Sequence, residues 1–464
     1  MPKPVIAIID VGKTNKKLFL FDENYAMVYE RTARFTETVD EDGFPCENIE
    51  SVRLSLFDSL RDVFSKKEFE VKAINFSTYG ASFVYLDENG NTITPLYNYL
   101  KPYSEELKKQ FYDTYGGEEQ FSRLTASPVL GSLNSGMQLY RIKHEKPEAF
   151  EKIKYALHLP QYLSYIVTGK AYTDITSIGC HTNLWNFEKN AYHEWVSKEQ
   201  ILDKLAPIMP STHVGEAAFP MSKATVGIGL HDSSAALIPY LVNFNYPFLL
   251  ISTGTWCITL NPFNDSPLTS DELKKDSLQY LNYKGKPVKA SRIFAGYHHD
   301  EQVKKIAVHF KTDVSEFKTL AFSTQFLKSF TEKYRLDFPV LLRSSTPDTL
   351  NFLSRKLTDF STSHEAYYQL IIDIVTQQYA SSHLVLNNSS ISRVFVDGGF
   401  SQNTIYMNIL ACAFNNMEVF AASMAQATAL GAALAIHGAW QKKSLPNDLI
   451  ELKYYANTYC SEPI

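Results

Sequence analysis

No apolar run in this chain reaches the ~18 residues that a membrane span requires, which excludes an expectation of a transmembrane helix. An excess of one charge is missing too. With 45 Lys and Arg against 50 Asp and Glu, the net charge is −5, so there is no electrostatic case for nucleic acid or an anionic membrane as the main partner. Cysteine is scarce and scattered: Cys46, Cys180, Cys257, Cys412 and Cys460 are odd in number and show no CxxC spacing. That pattern argues against a disulfide framework or a structural zinc site and for a reducing compartment. Tandem repeats and low-complexity segments are lacking as well. The first residues run almost at once into an apolar strand, which leaves no room for a signal peptide. The expectation is a cytoplasmic protein.

The chain has 464 residues, 45% apolar and 20% charged. That is more than one hydrophobic core normally serves, so two domains of about 200 residues each are expected. The assigned spans are 1–242, 243–445 and a polar tail over 446–464, with the crossing at Val242 to Pro247.

The most informative stretch runs from Val5 to Asp22. A buried-type strand ends in Asp10, a turn of Gly12, Lys13, Thr14, Asn15, Lys16 and Lys17 follows, and a second strand starts with no helix between. Turn amides, hydroxyls and lysines at a strand end suit a phosphate, and an adjacent acid suits its magnesium. A dinucleotide site would instead open a helix after its glycines. Half a chain later, Pro247 to Leu260 repeats the pattern as strand, Ser252-Thr253-Gly254-Thr255 turn, and strand. Either stretch alone is also an ordinary β-hairpin. Two of them, with the acid only in the first, can hold one polyphosphate from both sides.

Between the hairpins, Tyr25 to Phe35 alternates as a third strand, and Val52, Leu56, Leu60, Val63 and Phe64 give Ile49 to Lys66 a helical spacing. Val71 to Ser77 and Ser82 to Asp87 read as strands. Residues 104–170 are mostly helical, and Tyr172 to Asn186 is expected to loop over a cleft. A meander of strands followed by helix and strand fits a mixed sheet. Val226 to Leu241 reads as a strand ending near Leu230 and a helix starting near Asp232. Helices around 299–310, 314–334 and 363–387 and a strand at Val394 complete the second half.

Asp232 is the candidate general base: a carboxylate at a strand-to-helix junction between domains can reach a substrate hydroxyl across a cleft. Its alternative role is to cap the helix, since Ser-Ser-Ala-Ala follows it. Asp10 is the candidate magnesium partner, or else a plain strand terminator. Lys13 and Lys17 can offset phosphate charge or be solvated. Val394 to Asn403 is a strand entering a Gly398-Gly399 turn that lets a flat group such as adenosine lie against the backbone. The small residues of Ala425 to Ala433 permit close approach to the same pocket. A metal reading of His231 is disfavoured because adjacent residues point different ways, and those of Cys257 with Cys412 and of His298-His299-Asp300 match no recognised zinc spacing.

In this order the elements resemble the FGGY carbohydrate kinases, within the actin/hexokinase-like superfamily, over about residues 5 to 440. The rhamnulokinase- and fuculokinase-like branches look nearest, and Thr78 to Asp87, His158 to Tyr165 and Ser252 to Trp256 resemble rhamnulokinases. The resemblance implies an α/β fold of two ribonuclease-H-like domains with mixed sheets around a central cleft. It implies ATP and Mg2+ as cofactors and a sugar as the other partner, and it leaves a homodimer open. Phosphate and nucleotide contacts fall on Gly12, Lys13, Thr14, Asn15, Lys17, Thr253, Gly254, Thr255, Gly398, Gly399 and Asn403. The metal falls on Asp10, the base on Asp232, and the sugar on Thr78, Tyr79, Gly80, His231 and Asp232. Sugar-facing elements depart from the family pattern: serines stand at Ser77 and Ser82 where rhamnulokinases carry acids, and Asn98-Tyr99-Leu100-Lys101-Pro102 replaces an Arg-Asp-x-Arg-like element. The expected activity is ATP-dependent phosphorylation of a primary hydroxyl of a ketose or deoxy-ketose. The alternative is a regulator on the same fold that binds but does not transfer.

Overall fold

The structure, a computed structural model, describes residues 1–13, 16–33, 35–218, 223–336, 341–342, 352–386, 390–424, 426–446 and 448–456. Thr14, Asn15 and Ala425 of the sequence motifs therefore lie outside the described residues.

Two seven-stranded mixed sheets carry the molecule. In the first, Lys3–Val11 pairs antiparallel with Lys16–Asp22, which pairs antiparallel with Met27–Thr32. On its other side Lys3–Val11 pairs parallel with Phe69–Thr78, reached through the helix Ile49–Ser65. That helix forms where expected, because Val52, Leu56, Leu60 and Val63 fall on one face and bury against the sheet. The Asn48 side chain caps it by accepting from the Ser51 amide at 3.0 Å. Thr225–Gly227 and Val214–Glu216 extend the sheet, and Leu230–His231 pairs with the end of Phe69–Thr78.

The second sheet repeats the plan. Leu249–Thr253 and Cys257–Asn261 form the hairpin, and Leu249–Thr253 pairs parallel with Arg393–Gly398. The chain returns to that strand through the helix Ser363–Leu386, whose buried Gln378 donates to the Thr259 hydroxyl at 2.8 Å. Pro287–Ile293 and Ser277–Leu281 lengthen the hairpin side, and Glu418–Ser423 the other. Residues 451–455, expected in a polar tail, form an edge strand on Glu418–Ser423. Their alternation of Leu and Tyr with charged residues suits an edge rather than a core, which hides the strand in the sequence.

The helices Asp232–Asn243 and Ala427–Ala435 cross between the sheets. Ala429, Leu430, Ala432 and Ala433 bury against Ile6, Ile8 and Phe19 of the first sheet and Ala235 and Ile238 of the neighbouring helix. The close approach that the small residues permit is to this helix: a Cβ on Gly431 would come 1.8 Å from the Ala235 carbonyl oxygen. Pro239 lies inside the same helix. Having no N–H, it leaves that carbonyl without its i+4 donor, and a glycine backbone can then pack onto it.

Candidate active site

Strand register assembles the first half of the site. Asp10 stands level with Ser77 and Ser77 with Leu230; in the next row Val11, Thr78 and His231 align. One residue later Asp232 opens its helix. The two carboxylates thus sit at C-terminal strand ends on either side of the Phe69–Thr78 strand, the place where open α/β sheets present ligands.

Burial pushes the Asp232 carboxyl up to about 6, against the Ser233 amide and hydroxyl that bond to it. Its side chain is still 29% exposed, so it lies in a recess open on one side. Among the described residues its hydrogen bonds land on Oδ1, from the Ser233 amide at 2.6 Å and hydroxyl at 3.3 Å. His231 Nε2 also lies 3.3 Å from Oδ1. Among the described residues no hydrogen bond lands on Oδ2.

Burial likewise raises Asp10 to about 6; the Thr428 hydroxyl works against this, and the charge of Asp232 adds to it. Thr428 donates to Asp10 Oδ2 at 2.7 Å. Lys17 is the cross-strand neighbour of Asp10, yet its ammonium pairs with Glu30. The acid is therefore short of positive charge, a donor chemistry that fits a divalent cation.

Gly12 leads into the turn, where Lys13 Nζ lies over the rings of Tyr79 and Tyr99 at 5.3 and 5.4 Å. The turn is anchored by Lys16, which donates to the Lys13 carbonyl at 3.1 Å and pairs with buried Glu47 at 2.9 Å. Tyr79 donates to the same Glu47 at 2.8 Å. Thr78 spends its hydroxyl on the Tyr79 carbonyl at 2.9 Å. Gly80 faces His231, and a Cβ there would come 2.7 Å from the imidazole.

The second cluster is built around Thr253. Its hydroxyl donates to the Asp397 carbonyl at 2.5 Å and accepts from the Phe400 amide at 3.0 Å, welding the hairpin to the Gly398-Gly399 turn. Gly398 has φ +88° and its absent Cβ would fall 1.9 Å from the Thr253 carbonyl oxygen, so only glycine fits. Over Gly399 there is open space. The Gly254 amide donates to Trp256 O at 2.9 Å, and Thr255 O accepts from the Tyr297 amide at 3.1 Å. The Asn403 side chain is engaged: Oδ1 caps the helix Thr404–Ala413 and Nδ2 donates to the Tyr367 hydroxyl at 2.8 Å. The Asn403 amide is thus engaged within the protein, while the face of Gly399 is open.

The helix Asp232–Asn243 connects the clusters. Asp232 begins it at the first, and Tyr240 donates to Asp397 at 3.1 Å beneath the second. Thr428, Tyr99, Glu47 and Asp397 were not among the expected site residues. A lone hydroxyl in the small-residue helix was the available signal for Thr428; nothing local marked Glu47.

Residues 5–238 match the family model for the N-terminal domain of the FGGY family of carbohydrate kinases. Residues 245–444 match the C-terminal domain of carbohydrate kinase FGGY. Over 270 residues the chain is 23% identical to a rhamnulokinase of Halalkalibacterium halodurans, covering 54% of each. Over 296 residues it is 25% identical to a rhamnulokinase of Bacteroides thetaiotaomicron, covering 60% of this chain and 58% of the relative. The chain thus spans about half the length of the curated relatives it matches. In fold it is similar to a carbohydrate kinase from Novosphingobium aromaticivorans, with a TM-score of 0.75 and 21% identity over 98% of this chain and 95% of that one. A ligand-bound xylulose kinase from Lactobacillus acidophilus gives a TM-score of 0.74 at 16% identity, over 98% and 94%.

Proposed function

Because the chain belongs to the FGGY family of carbohydrate kinases, we propose that it transfers the γ-phosphoryl group of ATP to a primary hydroxyl of a ketose or deoxy-ketose in the cytoplasm. The observation that carries this reading is the pair Asp10 and Asp232. Two carboxylates raised to about 6 flank the end of the Phe69–Thr78 strand, one held by Thr428, the other with no hydrogen bond on Oδ2 among the described residues.

Asp232 accepts the hydroxyl proton as the sugar oxygen bonds to the γ-phosphorus, and the bond from that phosphorus to the β,γ-bridging oxygen breaks to release ADP. A magnesium ion bound with ATP supplies charge neutralisation on the phosphates, and Asp10 is the residue that would hold it. Lys13, fixed between Tyr79 and Tyr99, faces the charge that develops during transfer. The hairpin turn of Thr253, Gly254 and Thr255 takes the phosphates from the other side, and the open face of Gly399 receives the adenosine. Thr78, Tyr79, Gly80 and His231 border the sugar. Closure of the two halves excludes water and limits hydrolysis of ATP.

Coupled ADP release, measured with L-rhamnulose, L-fuculose, L-xylulose, L-ribulose and D-xylulose, tests this reading. Turnover with at least one sugar is expected. Tight sugar binding with no turnover on any of them favours a regulatory protein instead.

A further inference from the structure

Cys180, His181 and His231 converge beside Asp232, each offering a ligand atom within 4.8 Å of the others. Cys180 Sγ lies 3.6 Å from His231 Nε2. Zinc bonds of about 2.0–2.3 Å at tetrahedral angles place neighbouring donors roughly 3.3–3.8 Å apart. One edge of the triangle therefore already has the spacing of a metal site, and a side-chain movement of about 1 Å closes the rest.

His181 is prepared for such a role. Its Nδ1 lies 3.2 Å from the Leu133 carbonyl oxygen, which accepts the N–H and leaves Nε2 with its lone pair free. Ligating histidines are oriented in this way by a backbone carbonyl. The residue also has φ +38°, an unfavourable conformation for a side chain this size, of the kind that clusters at functional sites. Gly80 keeps the third corner open, since a Cβ there would lie 2.8 Å from His231 Nε2.

We propose that Cys180, His181 and His231 bind a divalent transition metal of the zinc class, distinct from the magnesium that accompanies ATP. The donor set is sulfur and nitrogen, which selects borderline-soft ions, whereas magnesium takes oxygen. The thiol proton leaves to solvent on binding, and the thiolate and Asp232 balance the cation. Arg292, the nearby positive group, is already neutralised by two bonds to Asp276 of 2.9 and 2.8 Å. The segment carrying Cys180 is tied to the second sheet, through the Cys180–Tyr280 bridge and the Leu281 amide on Gly179 O at 2.9 Å. His231 belongs to the first sheet. A bound ion therefore staples the two halves of the molecule.

Titrating Co2+ into the metal-stripped full-length chain, without ATP or sugar, tests this independently of any turnover. A near-ultraviolet thiolate-to-cobalt band should saturate at one ion per chain, vanish on adding Zn2+, and accompany a rise in melting temperature. Cys180→Ser should abolish the band and the melting shift; His181→Ala should weaken both at least tenfold in metal affinity. The absence of a one-to-one band overturns the proposal. So does an unchanged band in Cys180→Ser or, should that variant not fold, in His181→Ala.

Discussion

The Thr428 hydroxyl donates a 2.7 Å hydrogen bond to Asp10 Oδ2 across 418 positions of sequence. The acid that ends the first strand is thus oriented by a helix that follows the second glycine turn. Thr428→Val keeps the volume and removes the donor. Groups that orient a ligating carboxylate typically change metal affinity about 10–100-fold when lost. The magnesium concentration needed for half-maximal turnover should rise by about that factor, and Thr428→Ser should restore it. An unchanged magnesium requirement in Thr428→Val counts against Asp10 as the metal partner.

Gly431 packs directly against the Ala235 carbonyl of the neighbouring helix. A methyl group there meets backbone at 1.8 Å and cannot be relieved by turning a side chain. Gly431→Ala should destabilise the protein by about 3 kcal/mol or more, since overpacking against fixed backbone lies at the upper end of such costs. Urea unfolding measures it, and a change within about 0.5 kcal/mol contradicts the packing described.

Asp174 supports His231 from below. It accepts from the Thr176 hydroxyl, and Thr176 Oγ1 in turn accepts from the His231 amide at 3.0 Å. Burial raises its carboxyl from 3.8 to about 6, against hydrogen bonds from Ser211 and Thr176. The sign follows from the two states. Below about pH 4 both folded and unfolded chains hold the proton; between about 4 and 6 only the folded chain does, so stability falls as pH rises. Above that window the loss levels at about 3 kcal/mol. Asp174→Asn removes this dependence. The stability of wild type minus that of the variant, from urea unfolding at several pH values, should drop across pH 4–6 and then flatten. A pH-independent difference refutes the assignment.

Much of this was legible in the sequence because it is local. The helix expected at Ile49 to Lys66 forms over Ile49–Ser65, and the strand-to-helix junction falls at His231 and Asp232. Apolar periodicity suffices for the first. At the second, the cap that Asp232 could have supplied is not made, since His231 takes the cap position without a side-chain capping bond and Asp232 is the first helical residue. What stayed hidden depends on distant partners. The segment expected at 314–334 splits into Val314–Thr319 and Thr324–Lys333, joined where the Phe322 amide bonds to Thr404 and the Ser323 amide to Tyr368. Tyr172 to Asn186, expected as a loop over a cleft, carries a short strand Thr173–Asp174 and the helix Ile175–Ile178. Its Cys180 meets His231 from 51 residues away. The Glu47 that anchors Lys16 and Tyr79 reads as one more surface acid until the tertiary structure buries it.

The central claim is that Asp232 takes the proton of the acceptor alcohol, and Asp232→Asn tests it most directly. Asparagine fits the same recess but cannot serve as the base. Turnover with the preferred sugar should fall on the order of 10²–10⁴-fold, while ATP affinity, measured calorimetrically on the same preparation, stays unchanged. Near-normal turnover in this variant contradicts the account.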